Sequence, residues 1–387
     1  MEFSINLLSI FLFYGLIGYF IFKNRKKIEF HKLYLLYKTK YGIKLLDRFS
    51  GSRFWKYWGY LAIPVGFLGM FFILGMLLFK VKDIFLGQAV DQGVQLLLPW
   101  TGSGSAGPFM LMPFWTFIIC IAVVVLVHEG AHGVISRAHN LKVNATGLGM
   151  FTIIPLAFVE PDDKQLDSAS AATQLSVFAA GPFANICMGF IVLFISLFVL
   201  IPLSSSYVDS TGLEIIDVIS DFPAGAAGIV SGDTIVAVNG EETLDTLQFV
   251  SVMNTVAPNE QITVLLQDRE VSLITTENPM ETGSPYIGIS FKEHLESKST
   301  SFFGEFFGNA LLYLIGLFGW LWVLNIGIGL VNLLPLGPVD GGRMLLTLSH
   351  RTIKNETAAR TLWLTISLVA LLALLINLLS PFLMSLF

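Results

Sequence analysis

Val127-His128-Glu129-Gly130-Ala131-His132-Gly133 lies near the end of an apolar run, Pro113–Ile135, and its reading decides the rest of the chain. The pattern is H-E-x-x-H. On a helix, residues i and i+4 share one face, so His128 and His132 can bind one metal ion together. Glu129 stands one residue on, within reach of a water on that metal as general base. The run around it is long enough to cross a bilayer as a helix. Two His and a Glu inside such a helix are costly unless they are paired or functional. The stretch therefore predicts a zinc site inside a membrane.

The surrounding composition agrees. Of 387 residues 54% are hydrophobic and 13% charged, against about a quarter charged in an ordinary soluble domain. This excludes a soluble secreted protein, a disordered chain and a disulfide scaffold. Six apolar runs have spanning length: Ile5–Phe22, Trp58–Phe79, Pro113–Ile135, Leu175–Pro202, Phe306–Leu334 and Thr361–Leu383. The first has no Lys or Arg in Met1–Ser4 and no small-residue cleavage site before Lys23, so it reads as a retained helix rather than a signal peptide. Cys120 and Cys187 fall inside apolar runs and read as packing residues.

Charge sets the expected orientation. Between Lys23 and Lys56 lie eleven of the 23 Lys and Arg residues, against Glu29 and Asp47. Positive residues near span ends stay cytoplasmic, which puts the N-terminus outside. Alternation then sends residues 80–112 outside, where Lys80 and Lys82 face Asp83 and Asp91. Residues 204–305 are outside too, with 16 acids against Arg269, Lys292 and Lys298. The loop with Arg343, Arg351, Lys354 and Arg360 falls inside, and the C-terminus outside. The basic stretch is explained by topology and anionic lipid of the bilayer, and no nucleic-acid role is needed.

Two polar segments interrupt the spans. In Asp209–Phe291, Ile215–Ile219, Thr234–Val238, Ile262–Leu266 and Val271–Thr275 read as short strands separated by Phe222-Pro223-Ala224-Gly225, Ser231-Gly232-Asp233 and Asn239-Gly240 turns. Arg137–Thr173 holds the Gly147–Pro155 stretch, too short and too Gly/Pro-marked to span. It predicts a strand or hairpin shielded from lipid by protein.

Two His leave a catalytic zinc one protein ligand short. Asp340 supplies a carboxylate at the end of span five, where Pro335, Pro338, Gly341 and Gly342 break the helix. By the alternation above, spans three and five run the same way, so His128, His132 and Asp340 reach similar depth toward the cytoplasmic side.

These residues resemble the site-2 protease family of intramembrane zinc metalloproteases: H-E-G-A-H, then N-x-x-P-x-x-x-x-D-G at Asn332–Gly341. The resemblance implies one zinc ion held by His128, His132 and Asp340, with Glu129 as base. It gives Asn332 a part in positioning substrate or stabilising the oxyanion. Gly181-Pro182-Phe183-Ala184-Asn185 looks like the family's Gly-Pro-x-x-Asn, which gives Asn185 a similar part. Gly147 and Gly149 sit where the family places a membrane-embedded strand that pairs with unwound substrate. Gly337, Pro338 and Val339 depart from the usual residues there but keep the Asn-to-Asp spacing.

The insert resembles a PDZ domain in Gly212-Leu213-Glu214-Ile215, Phe222–Ile229, Gly232-Asp233-Thr234-Ile235 and Val238-Asn239-Gly240. Tyr286, Ile287, Gly288 and Ile289 look like a carboxylate-binding loop, or equally a final strand. The expected fold is thus a polytopic α-helical membrane protein of about six spans, with a small extracytoplasmic β-rich PDZ-like domain between spans four and five. Its parts are residues 1–80, two helices with a basic loop; 108–203, the first part of the catalytic core; 209–291, the PDZ-like domain; and 306–387, the second part. The implied activity is cleavage of transmembrane protein substrates, pre-cut outside, in the cell membrane, with the insert docking or filtering their ectodomains. Two rivals are a metal transporter, which needs ligands repeated along a path, and a non-cutting helix binder, which needs a lost ligand or base. The chain has one cluster, with all four residues in place.

Overall fold

The computed structural model describes residues 2–32, 34–86, 94–100, 102, 104–106, 108–152, 154–279, 281–298 and 301–384. Asp91 and Ile153 lie outside the described residues. Among those described, six helices are long and apolar enough to cross a membrane, one for each apolar run. The chain forms two compact units, Met1–Phe194 with Leu317–Phe387, and Ile195–Gly316.

In the first unit, α1 (Glu2–Asn24) keeps Leu8, Phe11, Leu12 and Phe22 exposed, as suits a helix solvated by hydrocarbon. The basic segment that follows is more than a loop. It folds into β1 (Ile28–Phe30), β2 (Tyr34–Thr39) and α2 (Tyr41–Ser50). Ser52 then caps α3 (Arg53–Phe85), its hydroxyl accepting from the Phe54 N–H at 3.2 Å. Gly59, Ala62, Gly66, Met70, Ile73 and Leu77 form the buried face of α3 at three- and four-residue spacing. The small residues there let neighbouring helices approach closely.

Ahead of α4 (Phe114–Ala138), β3 (Leu96–Trp100), β4 (Gly104–Ala106) and β5 (Phe109–Pro113) make a small sheet in the order β3-β5-β4. After α4 the expected hairpin is present as β6 (Val143–Phe151) and β7 (Ile154–Pro161), inside a four-stranded antiparallel sheet of order β1-β2-β6-β7. Lys38 bridges Glu160 at 2.9 Å and Glu29 at 3.2 Å. The hydrogen bonds to Glu160 and Glu29 hold its ammonium above the ordinary lysine pKa.

This sheet corrects the part expected of Gly147 and Gly149. Gly147 lies between Lys38 and Phe158, and Gly149 between Leu36 and Leu156, so β6 is hydrogen-bonded on both sides. The glycines serve close packing instead, since a Cβ at Gly147 would stand 2.7 Å from the Phe158 ring. The strands at the sheet's two ends are β1 and β7.

Asp162 caps the short α5 (Asp163–Ser168), accepting from the Gln165 N–H at 3.1 Å. Next comes α6 (Ala171–Ile195), which contains Pro182 and continues through a π-helical stretch, Ser196–Leu200, into α7 (Ile201–Ser204).

The second unit carries β8 (Val208–Val218), α8 (Pro223–Ala226), β9 (Thr234–Val238), β10 (Glu241–Glu242), α9 (Thr246–Met253), β11 (Gln261–Leu266), β12 (Glu270–Ile274), β13 (Thr276–Glu277), β14 (Pro285–Tyr286) and β15 (Ile289–Ser297). Its main sheet runs β12-β11-β9-β8-β15, with β10 beside β9 and β13 paired to β14. Leu213, Ile215, Ile235, Val238, Ile262, Val264 and Leu266 form its dry core. Asn239 and Gly240 both have positive φ, 53° and 79°, as the tight turn from β9 to β10 requires. Every strand expected in the insert is found, but β15 runs on past Phe291 to Ser297. The missed helix α9 had a legible start: Asp245 accepts from the Gln248 N–H at 2.8 Å, and Gln248 accepts from the Leu244 N–H at 2.8 Å.

The chain returns through α10 (Phe302–Asn332), a short turn, α11 (Asp340–Thr352) and α12 (Glu356–Met384). Asp340 thus opens a new amphipathic helix instead of ending a span. Gly341 and Gly342 allow this, because a Cβ on either would overlap the backbone of Leu333 or Leu336. Met344 of α11 then reaches a fully buried core with Ala62, Ile135, Ala179, Ala180 and Leu333.

Candidate metal centre

His128 and His132 stand one turn apart on α4 and meet the first residue of α11. His128 Nε2 lies 3.2 Å from Asp340 Oδ2, and His132 Nε2 3.3 Å from the same oxygen. The two Nε2 atoms are 3.1 Å apart. Ligand atoms at about 2.0–2.1 Å from a tetrahedral zinc sit roughly 3.3 Å from one another. The three donors therefore fit one face of a zinc tetrahedron, and no second His, Cys, Asp or Glu group of this kind occurs among the described residues.

The hydrogen bonds behind the imidazoles fix which nitrogen points forward. His132 Nδ1 lies 2.8 Å from the Val177 carbonyl, which can only accept, so Nδ1 carries the proton and Nε2 keeps its lone pair for a metal. His128 Nδ1 lies 3.2 Å from the Asn185 amide. Asn185 is wholly buried, and with Nδ2 toward His128 its Oδ1 has no partner. Turning the amide puts Oδ1 on the His128 Nδ1–H and leaves His128 Nε2 its lone pair, the usual way to assign such an amide. Asn185 was expected beside the reacting carbonyl; here its amide lies against the His128 imidazole, wholly buried.

Val177, Gly181 and Asn185 follow at four-residue spacing, one stripe of α6. Gly181 is the member of the stripe that faces the imidazoles directly. A Cβ there would lie 2.7 Å from His128 Nε2 and overlap His132 Nε2. The sequence reading singled out the Gly-Pro-x-x-Asn stretch for its Asn. The glycine in it makes the room.

Glu129 is held from the other side. Its Oε2 accepts the Val159 N–H at 2.9 Å, tying the carboxylate to β7. A cavity of about 270 Å³ opens here, lined by His128, Glu129, His132, Asn332, Asp340 and Arg343 with Val159 and Pro161 of β7. Asn332 is thus at the cavity as expected, its Nδ2 donating to the Ile328 carbonyl at 3.0 Å. Gly147 and Gly149 are not among its walls. Arg343, read before only as a topology charge, lies one turn beyond Asp340 with its guanidinium 5.6 Å from the Phe178 ring.

In the second unit, a groove of about 310 Å³ runs between Phe249, Val250 and Met253 of α9 and the Tyr286–Ile289 stretch with Phe291. In the Tyr286–Ile289 stretch Gly288 turns with φ of +83°, and Ile289 begins β15, as the final-strand reading expects.

Residues 116–374 match the model of peptidase family M50. An uncharacterized protein of Methanocaldococcus jannaschii is 27% identical over 312 residues, which are 79% of this chain and 74% of that protein. Crystal structures of PDZ domains of SdrC-like proteins from Listeria monocytogenes and Listeria innocua are also similar. Each covers 21% of this chain, and 90% and 96% of its own, at 19% and 22% identity and a TM-score of 0.20.

Proposed function

The chain belongs to peptidase family M50, and from that premise we propose that it is a membrane-embedded zinc endopeptidase. Its substrates are other membrane proteins, cut within or near a transmembrane helix. The observation that carries this reading is the His128, His132 and Asp340 triangle, with edges of 3.1–3.3 Å, beside the Glu129 carboxylate. Three protein donors leave a fourth position toward the cavity, as a hydrolytic zinc site needs. When bound, zinc supplies Lewis acidity for the scissile carbonyl and makes water a nucleophile at neutral pH.

The chain's own residues do the rest. Glu129 takes the proton from the attacking water and hands it to the leaving amine. Val159 engages one of its oxygens, which aims the other into the cavity. A helical carbonyl is hydrogen-bonded and shielded, so the substrate must unwind first. The outer edge of β7, rather than β6, is where an extended segment can be held by main-chain hydrogen bonds. Asn332, on the cavity wall, positions it by exchanging Ile328 for the substrate.

Sidedness follows from charge. The Lys23–Lys56 segment and the zinc site lie toward the cytoplasm, and the acidic second unit lies outside with both termini. There it docks or filters ectodomains of substrates already cut once, which makes the reaction regulated intramembrane proteolysis.

The direct test is the zinc content of freshly purified protein. One zinc per chain is expected, and its absence from active protein would sink the proposal. Asn185→Ala should weaken zinc binding roughly tenfold, as removing one partner behind a metal-bound imidazole does, because Val177 still fixes His132. Competition with a chromophoric chelator reads this without any activity assay.

A further inference from the structure

A second polar cavity, of about 380 Å³, opens where the end of α2, the start of α3 and the end of α4 meet. Both α3 and α4 are candidate membrane spans, so their ends place this cavity at the level of a membrane surface. We propose that it binds the phosphate headgroup of an anionic phospholipid.

Charge is the first argument. Arg53, Lys56 and Arg137 line the cavity, against the single acid Asp47. Arg137 Nε and Asp47 Oδ1 pair at 2.5 Å and cancel. Among the described residues Arg53 and Lys56 have no ion-pair partner, which leaves two uncompensated cations. They stand in the first turn of a 33-residue helix, the end whose dipole favours an anion.

The second argument is apolar and independent of the first. Along α2, Ile43 and Leu46 pack inward with Val134 and Val143. Another stripe, Tyr41, Leu45 and Phe49 at four-residue spacing, is left 89%, 57% and 52% exposed. Lys44 and Arg48 run beside it, the arrangement of a helix lying in the headgroup region. Phe54, Tyr57 and Leu61 continue the exposed apolar surface down α3. A soluble anion would use the cations and leave this stripe without a purpose. A lipid uses both, with its phosphate on Arg53 and Lys56 and its chains along α3. Basic pockets between spans near anionic lipid are suited to such headgroups.

The site bears on the metal centre through one helix. Arg137 is in the last turn of α4, five residues after His132, and a lipid phosphate competes with Asp47 for it. Lipid composition then acts on the helix that carries both imidazoles. The binding itself does not depend on the peptidase reading.

The test is native mass spectrometry of the full chain from neutral detergent, titrated separately with phosphatidylglycerol, phosphatidylcholine and inorganic phosphate. Phosphatidylglycerol should give one tight adduct, and the other two none. Arg53→Gln with Lys56→Gln should weaken it about thirtyfold, at roughly a factor of five per cation. Lys26→Gln with Lys27→Gln removes the same charge from the same segment outside the cavity and should change nothing. Neither Arg53 nor Lys56 is buried, so an unchanged melting midpoint in phosphatidylcholine verifies the fold of the first variant. Equal binding of phosphatidylcholine, or equal loss in both variants, would overturn the site in favour of non-specific adsorption or a diffuse field. Tight binding of inorganic phosphate would overturn the lipid assignment in favour of a soluble anion.

Discussion

Glu129→Gln is expected to keep its zinc and lose about a thousandfold in cleavage rate, within the range that removal of a general base produces. The substitution is nearly isosteric. Its amide oxygen can still accept the Val159 N–H, so the tie between α4 and β7 survives. None of the three donors is altered, and both imidazoles keep the partners that orient them. What is lost is a group that can take a proton from water. The measurement pairs zinc content with cleavage of a single-span test substrate in detergent. Zinc lost together with activity would make Glu129 a structural part of the metal site. Zinc present with cleavage undiminished would place the base elsewhere. Zinc in both proteins and cleavage in neither would fit a helix binder of the same fold.

The apolar runs were enough to find all six long helices, because a span must carry its whole signal in one continuous stretch. The H-E-x-x-H face was equally legible, and Asp340 stood out as one of few ionisable groups at a span's edge, at a depth that then matched. What stayed hidden depends on partners distant in sequence. β1 and β2 come from a segment whose charge dominates its reading, and β2 finds its register on β6, with Thr39 opposite Thr146. Without that partner, Gly147 and Gly149 look like an open edge. With it, they are interior positions, and the outer edge passes to β7. α11 was missed because a short amphipathic helix is not an apolar run. Asn185 was legible as a residue but its contact with His128 was not, since that depends on which side of the imidazole it stands. Gly181 is the extreme case. Its contribution is a missing Cβ, and a missing atom has meaning only once its neighbours are known.

Gly181→Ala therefore separates the metal site from the fold. Alanine is the better helix former by about 1 kcal/mol, which offsets part of what the crowding costs the fold, so metal-free protein should melt only slightly below the wild type. Zinc should bind about a hundredfold more weakly, the upper end of what an overpacked methyl costs, and cleavage should fall with it. The upper end applies because relief is difficult. The new Cβ would stand 2.7 Å from His128 Nε2 and 2.8 Å from His128 Cε1. Rotating the imidazoles away breaks their bonds to Val177 and Asn185, which sit on the same stripe of α6. Moving α6 away takes those partners with it. Gly130→Ala is the matched control inside the H-E-x-x-H stretch, where a Cβ meets nothing within 4 Å, and it should leave zinc and activity intact. Both variants are read by chelator competition and thermal melting with and without zinc. Wild-type affinity in Gly181→Ala would mean that the imidazoles bind metal away from α6, and that the His128, His132 and Asp340 triangle is not the metal site.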